Sequence, residues 1–186
     1  MTRRLAAVFV LLVVALSAGG CARQGEVTQG RCVAFNPDRG TVTLLISAGR
    51  RDTSYTRLPP VTFALPSDER CMGPAPAAGL LVRVNPQAKT LLVYDPMRRT
   101  IETVACASLQ LSDPPTRGER ALPEIDREKR TVTTLAGDMG KLATFSLSEK
   151  DLSRPPASWI MGDVVRIYSQ ETGKAVRLMN VSKTKI

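Results

Sequence analysis

The chain has 186 residues, no histidine and only 4% aromatic residues. It therefore lacks the commonest general base, the commonest neutral metal ligand and the stacking platforms that single-stranded nucleic acid needs. Lys and Arg outnumber Asp and Glu by 26 to 17, a formal charge of +9, which suits an anionic surface or an acidic partner as well as plain solubility. In chain order, Met1-Thr2-Arg3-Arg4 precedes an apolar run from Leu5 to Leu16 and the small residues Ser17-Ala18-Gly19-Gly20 before Cys21. That is the order of a secretory signal. The run makes about three turns of helix, whereas a membrane span needs roughly 20 apolar residues. Residues 1–20 are thus expected to be cleaved.

The stretch Leu16-Ser17-Ala18-Gly19-Gly20-Cys21 resembles the bacterial lipobox, with Ala18 where leucine is commonest. The resemblance implies that Cys21 is acylated by a diacylglycerol and becomes the first residue of the mature protein, anchored stably by its lipid. It also implies a protein that faces the periplasm on a membrane, with residues 21–29 as a tether. Ala22 is not the aspartate that keeps some lipoproteins resembling this one at the inner membrane, so the outer membrane is expected where there are two. Removing 20 of 186 residues leaves 166, and losing Arg3 and Arg4 takes +9 to +7. That is enough chain for one ordinary domain or two small ones.

Three further cysteines, Cys32, Cys71 and Cys106, have no metal-site spacing. In an oxidising compartment two could form a disulfide and leave one thiol over; a buried apolar role is the other reading. Arg70 beside Cys71 supplies a cation that would favour the thiolate.

A turn unit recurs through the body: an apolar residue, Asn or Asp, often Pro, polar residues, then Thr and a β-branched run. It occurs at Phe35–Val42, Val84–Leu91, Tyr94–Ile101 and Ile125–Val132, with a looser copy at Tyr168–Val176. Each is a hairpin signal, because Asn or Asp caps the turn, Pro presets φ, and the Thr and β-branched residues favour a pleated strand. The units fall into two larger repeats. Thr41-Val42-Thr43, Val61–Leu65 and Gly79–Val84 are matched in order by Thr131-Val132-Thr133, Ala143–Leu147 and Gly162–Ile167. The spacing predicts an all-β protein of two tandem related small OB-like barrels or sandwiches, each of five to six strands with little helix. The expected boundaries are 30–107 for the first β-domain, 108–122 for a linker rich in polar and turn residues, and 123–186 for the second. One helical turn is expected at Ser148–Leu152, capped by Ser148, with a counterpart at Ser67–Arg70.

Ile125 through Met179, with Trp159-Ile160-Met161-Gly162-Asp163-Val164-Val165, resembles the OB-like barrels of periplasmic copper-binding proteins. That resemblance implies a soft-metal role built on Met161 and Trp159, although the family's histidine is missing. Methionines among valines and leucines otherwise fill cores. Asp163 and Asp151 are the carboxylates best placed by sequence, yet no nucleophile has a base, so no enzyme, catalytic residue, metal site or cofactor is expected. The expectation is a non-catalytic envelope binding or assembly subunit. Its partners are the membrane and an envelope protein or anionic envelope surface, not nucleic acid, and it meets them through basic hairpin tips with Arg98, Arg99, Lys129 and Arg130. The alternative is a copper or redox-thiol accessory protein of the periplasm.

Overall fold

A computed structural model describes residues 25–47, 55–115 and 121–184. The signal sequence, Cys21 and part of the expected linker lie outside these residues.

The protein is all-β, and every predicted hairpin forms. β1 (Glu26–Asn36) turns into β2 (Thr41–Ser47), β4 (Leu81–Asn85) into β5 (Thr90–Asp95), β5 into β6 (Thr100–Ala105), and β8 (Glu124–Asp126) into β9 (Thr131–Ala136). The capping side chains act as their chemistry dictates. Asn36, Asn85 and Asp126 each accept a backbone N–H three residues on, at 2.9, 3.1 and 2.9 Å, and Asp95 accepts from Met97 and Arg98 at 2.8 and 3.1 Å. The expected helical turn is α1 (Glu149–Leu152), with the Ser148 hydroxyl accepting from Asp151 N; its counterpart is a single 3-10 turn, Glu69–Cys71, capped by Asp68.

The strands do not group by sequence halves. A closed five-stranded barrel takes β1, β2 and β3 (Tyr55–Ala64) from the start of the chain, and β11 (Val164–Glu171) and β12 (Lys174–Asn180) from its end. β1 pairs antiparallel with β11, Glu26 opposite Ser169 and Arg31 opposite Val164, and β12 closes the ring parallel to β3, Lys174 opposite Ala64. Its order, β1-β2-β3-β12-β11, is that of an OB barrel whose last hairpin comes from the other end of the chain. The rest is a second module of two sheets, β4-β5-β6 and β7-β10-β9-β8, in which β7 (Ser108–Ser112) pairs with β10 (Lys141–Ser146). The expected tandem boundaries at 30–107 and 123–186 are therefore corrected, the expected linker 108–122 begins with a strand, and residues 26–29 of the expected tether 21–29 belong to β1 and pair with β11.

The reason is visible where the chain crosses itself. Gly79 and Gly162, matched glycines of the two repeats, lie where the backbones touch; a Cβ on Gly79 would overlap the Ile160 carbonyl, and one on Gly162 the Cys32 carbonyl oxygen. Gly79 N donates to Cys32 O, Leu81 N to Ile160 O and Asp163 N to Ala77 O, at 3.1, 3.0 and 2.9 Å. Hairpins β4–β5 and β11–β12 follow the matched glycines of the two repeats, and at this crossing each goes to the strands of the other repeat.

Three apolar clusters follow. Val42, Leu44, Phe63, Val165, Ile167 and Leu178 fill the barrel. Leu81, Leu91, Val93, Val132, Phe145 and Trp159 join the two sheets of the second module. Val33 and Leu45 of the barrel pack on Val82 and Tyr94, so the two modules share buried surface.

Candidate functional site

Beside the crossing, the barrel and the second module enclose a cleft of about 440 Å³ that includes Arg31, Thr134, Asp138, Met161, Asp163 and Lys183. Arg31 faces outward from β1 yet is only 3% exposed. One guanidinium nitrogen, Nη2, donates to both oxygens of the Asp138 carboxylate, at 2.7 and 2.8 Å, and the other, Nη1, donates to Gly162 O at 2.7 Å. The guanidinium thus divides its two terminal nitrogens between a carboxylate and a backbone carbonyl, and the bond to the carboxylate is charge-assisted. Asp138 sits in the β9–β10 turn, so the pair ties barrel to second module.

Asp163 is the second hub. Its carboxylate accepts from Ala77 N at 2.8 Å and from the amide of fully buried Asn180 at 2.8 Å, with the Lys183 ammonium at 3.4 Å. Asp151 is likewise committed, accepting from Ser148 Oγ at 2.6 Å and from Arg154 at 3.2 Å. The two carboxylates singled out by sequence are thus a crossing staple and a helix cap. With charges paired in this way, the cleft can hold a polar ligand or a partner's side chain. Among the described residues lining it, Met161 is the one soft donor, and no group of three or more His, Cys, Asp or Glu side chains among the described residues could hold a metal. Trp159 is fully buried, edge-on to Phe145 at 5.8 Å, and its Nε1 has no hydrogen-bond partner among the described residues. It belongs to the core and does not line the cleft.

The structure keeps the three body cysteines apart and free, which corrects the disulfide alternative. Cys32 lies in the barrel core and Cys106 in the second module's core. Burial, reinforced by the nearby Asp163 charge, pushes the Cys32 thiol up to about 12; burial and Asp151 push Cys106 up to about 11. Both behave as small apolar residues. Cys71 is half-buried and lines a second cleft, of about 390 Å³, with Ser67, Asp68, Glu171 and Lys174. Its neighbour Arg70 is engaged by Asp68 at 3.2 Å.

The basic tips divide. Arg98 is held by Asp95 and Glu102, and Lys129 by Asp126. Arg99 and Arg130 are exposed and have no ion-pair partner among the described residues. Both have left-handed backbone, φ 56° and 53°, and Lys89 repeats this at φ 50°. Lys89 went unmarked in the sequence reading, although its unit, Val84–Leu91, is the same as those of Arg99 and Arg130. Aligning the fifth turn position of the copies puts these three against Gly40 and would have found it. Left-handed backbone disfavours any residue with a Cβ.

The described body is covered by one family, described as Domain of unknown function (DUF4881), over residues 23–186. The chain belongs to that family. No curated protein and no solved structure matches the chain.

Proposed function

We propose that this DUF4881 protein is a membrane-anchored lipoprotein, held by a lipid on Cys21, that serves as a non-catalytic binding or assembly subunit of the cell envelope. The observation that carries the binding role is the set of exposed cations Lys89, Arg99 and Arg130 at left-handed turn positions. Glycine would hold those turns without steric cost, as Gly40 and Gly173 do in the barrel. Three unfavourable choices of the same charge, all on second-module hairpins, favour side chains that work outside the fold. Their natural counterpart is an acidic protein surface or an anionic envelope polymer, met with salt-sensitive affinity. The family match begins at residue 23, just past Cys21, which fits a leader and acylation site standing apart from the folded body. Ala22 favours the outer membrane of a two-membrane bacterium.

The test is native co-purification from detergent-solubilised membranes, using a tag after Ile186, at low and high salt. A stoichiometric partner is expected at low salt, lost at high salt and lost in the triple variant Lys89→Gly, Arg99→Gly, Arg130→Gly. A partner held equally by that variant would remove the basic turns from the contact. A chain with no partner under any condition would sink the assembly role. Separately, Cys21→Ser is expected to leave the membrane fraction; retention at high salt would refute the lipid anchor.

A further inference from the structure

We propose that one face of the barrel, the outer side of β1, β11 and β12 near the start of β1, rests on the phospholipid surface that holds the lipid of Cys21. The inference depends on the lipoprotein reading and adds an orientation to it.

Two observations on the described residues fix which face this is. The first is where the tether leaves the fold. The ring of Tyr168, on β11, lies over Gly25 so closely that a Cβ there would overlap it. The backbone is thus held against the outer face of β11 right up to Gly25. From Gly25 back to Cys21 there are four residues, which even fully extended reach only about 14 Å. An acylated Cys21 therefore keeps the bilayer surface close to Tyr168, and the molecule cannot stand far off on a long leash.

The second is the chemistry of that face. The register places Val27, Tyr168 and Arg177 in one row across the three strands, and Gln29, Arg166 and Met179 in the next. Val165 and Ile167 alternate with them into the barrel core, so these rows face outward. Val27 is 61% exposed, Tyr168 next to it in the row is half-buried with its hydroxyl accepting from the Gln170 amide at 3.4 Å, and Arg177 beyond Tyr168 is exposed. Apolar side chains, a tyrosine and a long cation in adjacent positions suit the head-group layer, where amphipathic side chains set an apolar body against lipid and a polar end in water. Lys174 is neutralised here by Glu171 at 2.8 Å, whereas Arg166, hydrogen-bonded to the neutral Gln29 side chain at 2.8 Å, and exposed Arg177 keep their positive charge and suit lipid phosphates. Contact is consequently expected on the phosphate-bearing head groups of ordinary zwitterionic phospholipid, leaving the cations of the second module for a partner.

The test uses the acylated full chain, extracted from membranes and reconstituted into phosphatidylcholine vesicles with brominated acyl chains. Two variants each add one tryptophan at an exposed site: Val27→Trp on the proposed face, and Met97→Trp on the β5–β6 turn of the second module, where the native side chain is 91% exposed. Buried Trp159 supplies the same background in both and reports that each has folded. Val27→Trp is expected to lose most of its added emission to the brominated lipid, while Met97→Trp keeps its own. Intact mass on the same samples separates the two ideas. A chain without acyl mass overturns the anchor and, with it, the orientation. An acylated chain in which Met97→Trp is quenched as deeply as Val27→Trp, or in which neither is quenched, overturns the orientation alone.

Discussion

The barrel and the second module are built from the same parts and end differently. Each has a threonine pair across its second and third strands, Thr43 with Thr62 and Thr133 with Thr144, both at 2.9 Å. Each has the residue after its third strand bonded back to its first turn, Leu65 N to Gly40 O and Leu147 N to Arg130 O. In the barrel, the last strand then closes on the third through Lys174 opposite Ala64, and the pairing continues where Met72 bridges Leu178. In the second module that position beside β10 is taken by β7, running antiparallel, and the ring stays open as two sheets. Two extra strands, β6 and β7, between the repeats are enough to change the closure. A repeated strand pattern specifies strands and turns; the connections decide which strands meet.

The largest effect should come from separating what the crossing joins. A piece ending at residue 115 contains β1–β3 without β11–β12, and a piece from 121 contains β8–β10 without β4–β5. Neither has a complete core, so each alone is expected to lack a cooperative unfolding transition. Mixed in equal amounts, they should recover one, because the missing hairpins are supplied in trans. A cooperatively folded 121–186 piece would contradict the exchanged topology.

Next in size are core truncations, one per module. Trp159→Ala should remove about 3–5 kcal/mol and Leu44→Ala about 2–5 kcal/mol, the usual range for large buried side chains. Because Val33 and Leu45 share a cluster with Val82 and Tyr94, both changes should lower the midpoint of a single transition. Two separated transitions in calorimetry, each moved by one variant, would mean that the modules unfold independently.

What sequence made legible follows from the range of the interactions involved. The hairpins and their Asn and Asp caps were readable because turn chemistry is local, and so was the Ser148 cap of α1. The all-β class followed from the same signals. The partner of each hairpin was not readable, since it depends on Gly79 and Gly162 passing backbone that is distant in sequence. The Arg31–Asp138 pair spans 107 positions, and nothing near Arg31 distinguishes it from a surface arginine. Cys32 and Cys106 could be read either as bridge partners or as core residues, and only their separate clusters decide.

Those two thiols give a smaller, pH-dependent comparison, one in each core. Their folded values of about 12 and about 11 lie above the ordinary 9.0. Above about pH 9, the unfolded chain has therefore released protons that the folded chain keeps, and stability falls as pH rises. Below that pH both forms are protonated and the thiols contribute no slope. Each thiol adds at most about 1.4 kcal/mol per pH unit, toward pH 11 for Cys106 and toward 12 for Cys32. Denaturant midpoints measured from pH 8 to 11 should fall less steeply in Cys32→Ala and in Cys106→Ala than in the parent. Parallel curves for parent and variants would show that the folded thiols ionise normally.

The smallest effect concerns the turns, where the modules differ in residue choice rather than in path. The barrel uses Gly40 and Gly173 at its left-handed positions, whereas the second module uses Lys89, Arg99 and Arg130 alongside Gly140. Replacing any of the three by glycine removes the steric opposition to positive φ, worth about 1 kcal/mol, while adding freedom to the unfolded chain of about 0.5–1 kcal/mol. The two nearly cancel, so thermal midpoints should stay within a few degrees of the parent. Replacement by alanine keeps the Cβ and removes the same charge. A glycine variant and an alanine variant that lose the envelope partner equally would assign the loss to the missing cation. Loss in the alanine variant alone would acquit the cation, because the glycine variant lacks it too. Retention in both would leave these turns as solvated hairpins no different in role from those of the barrel.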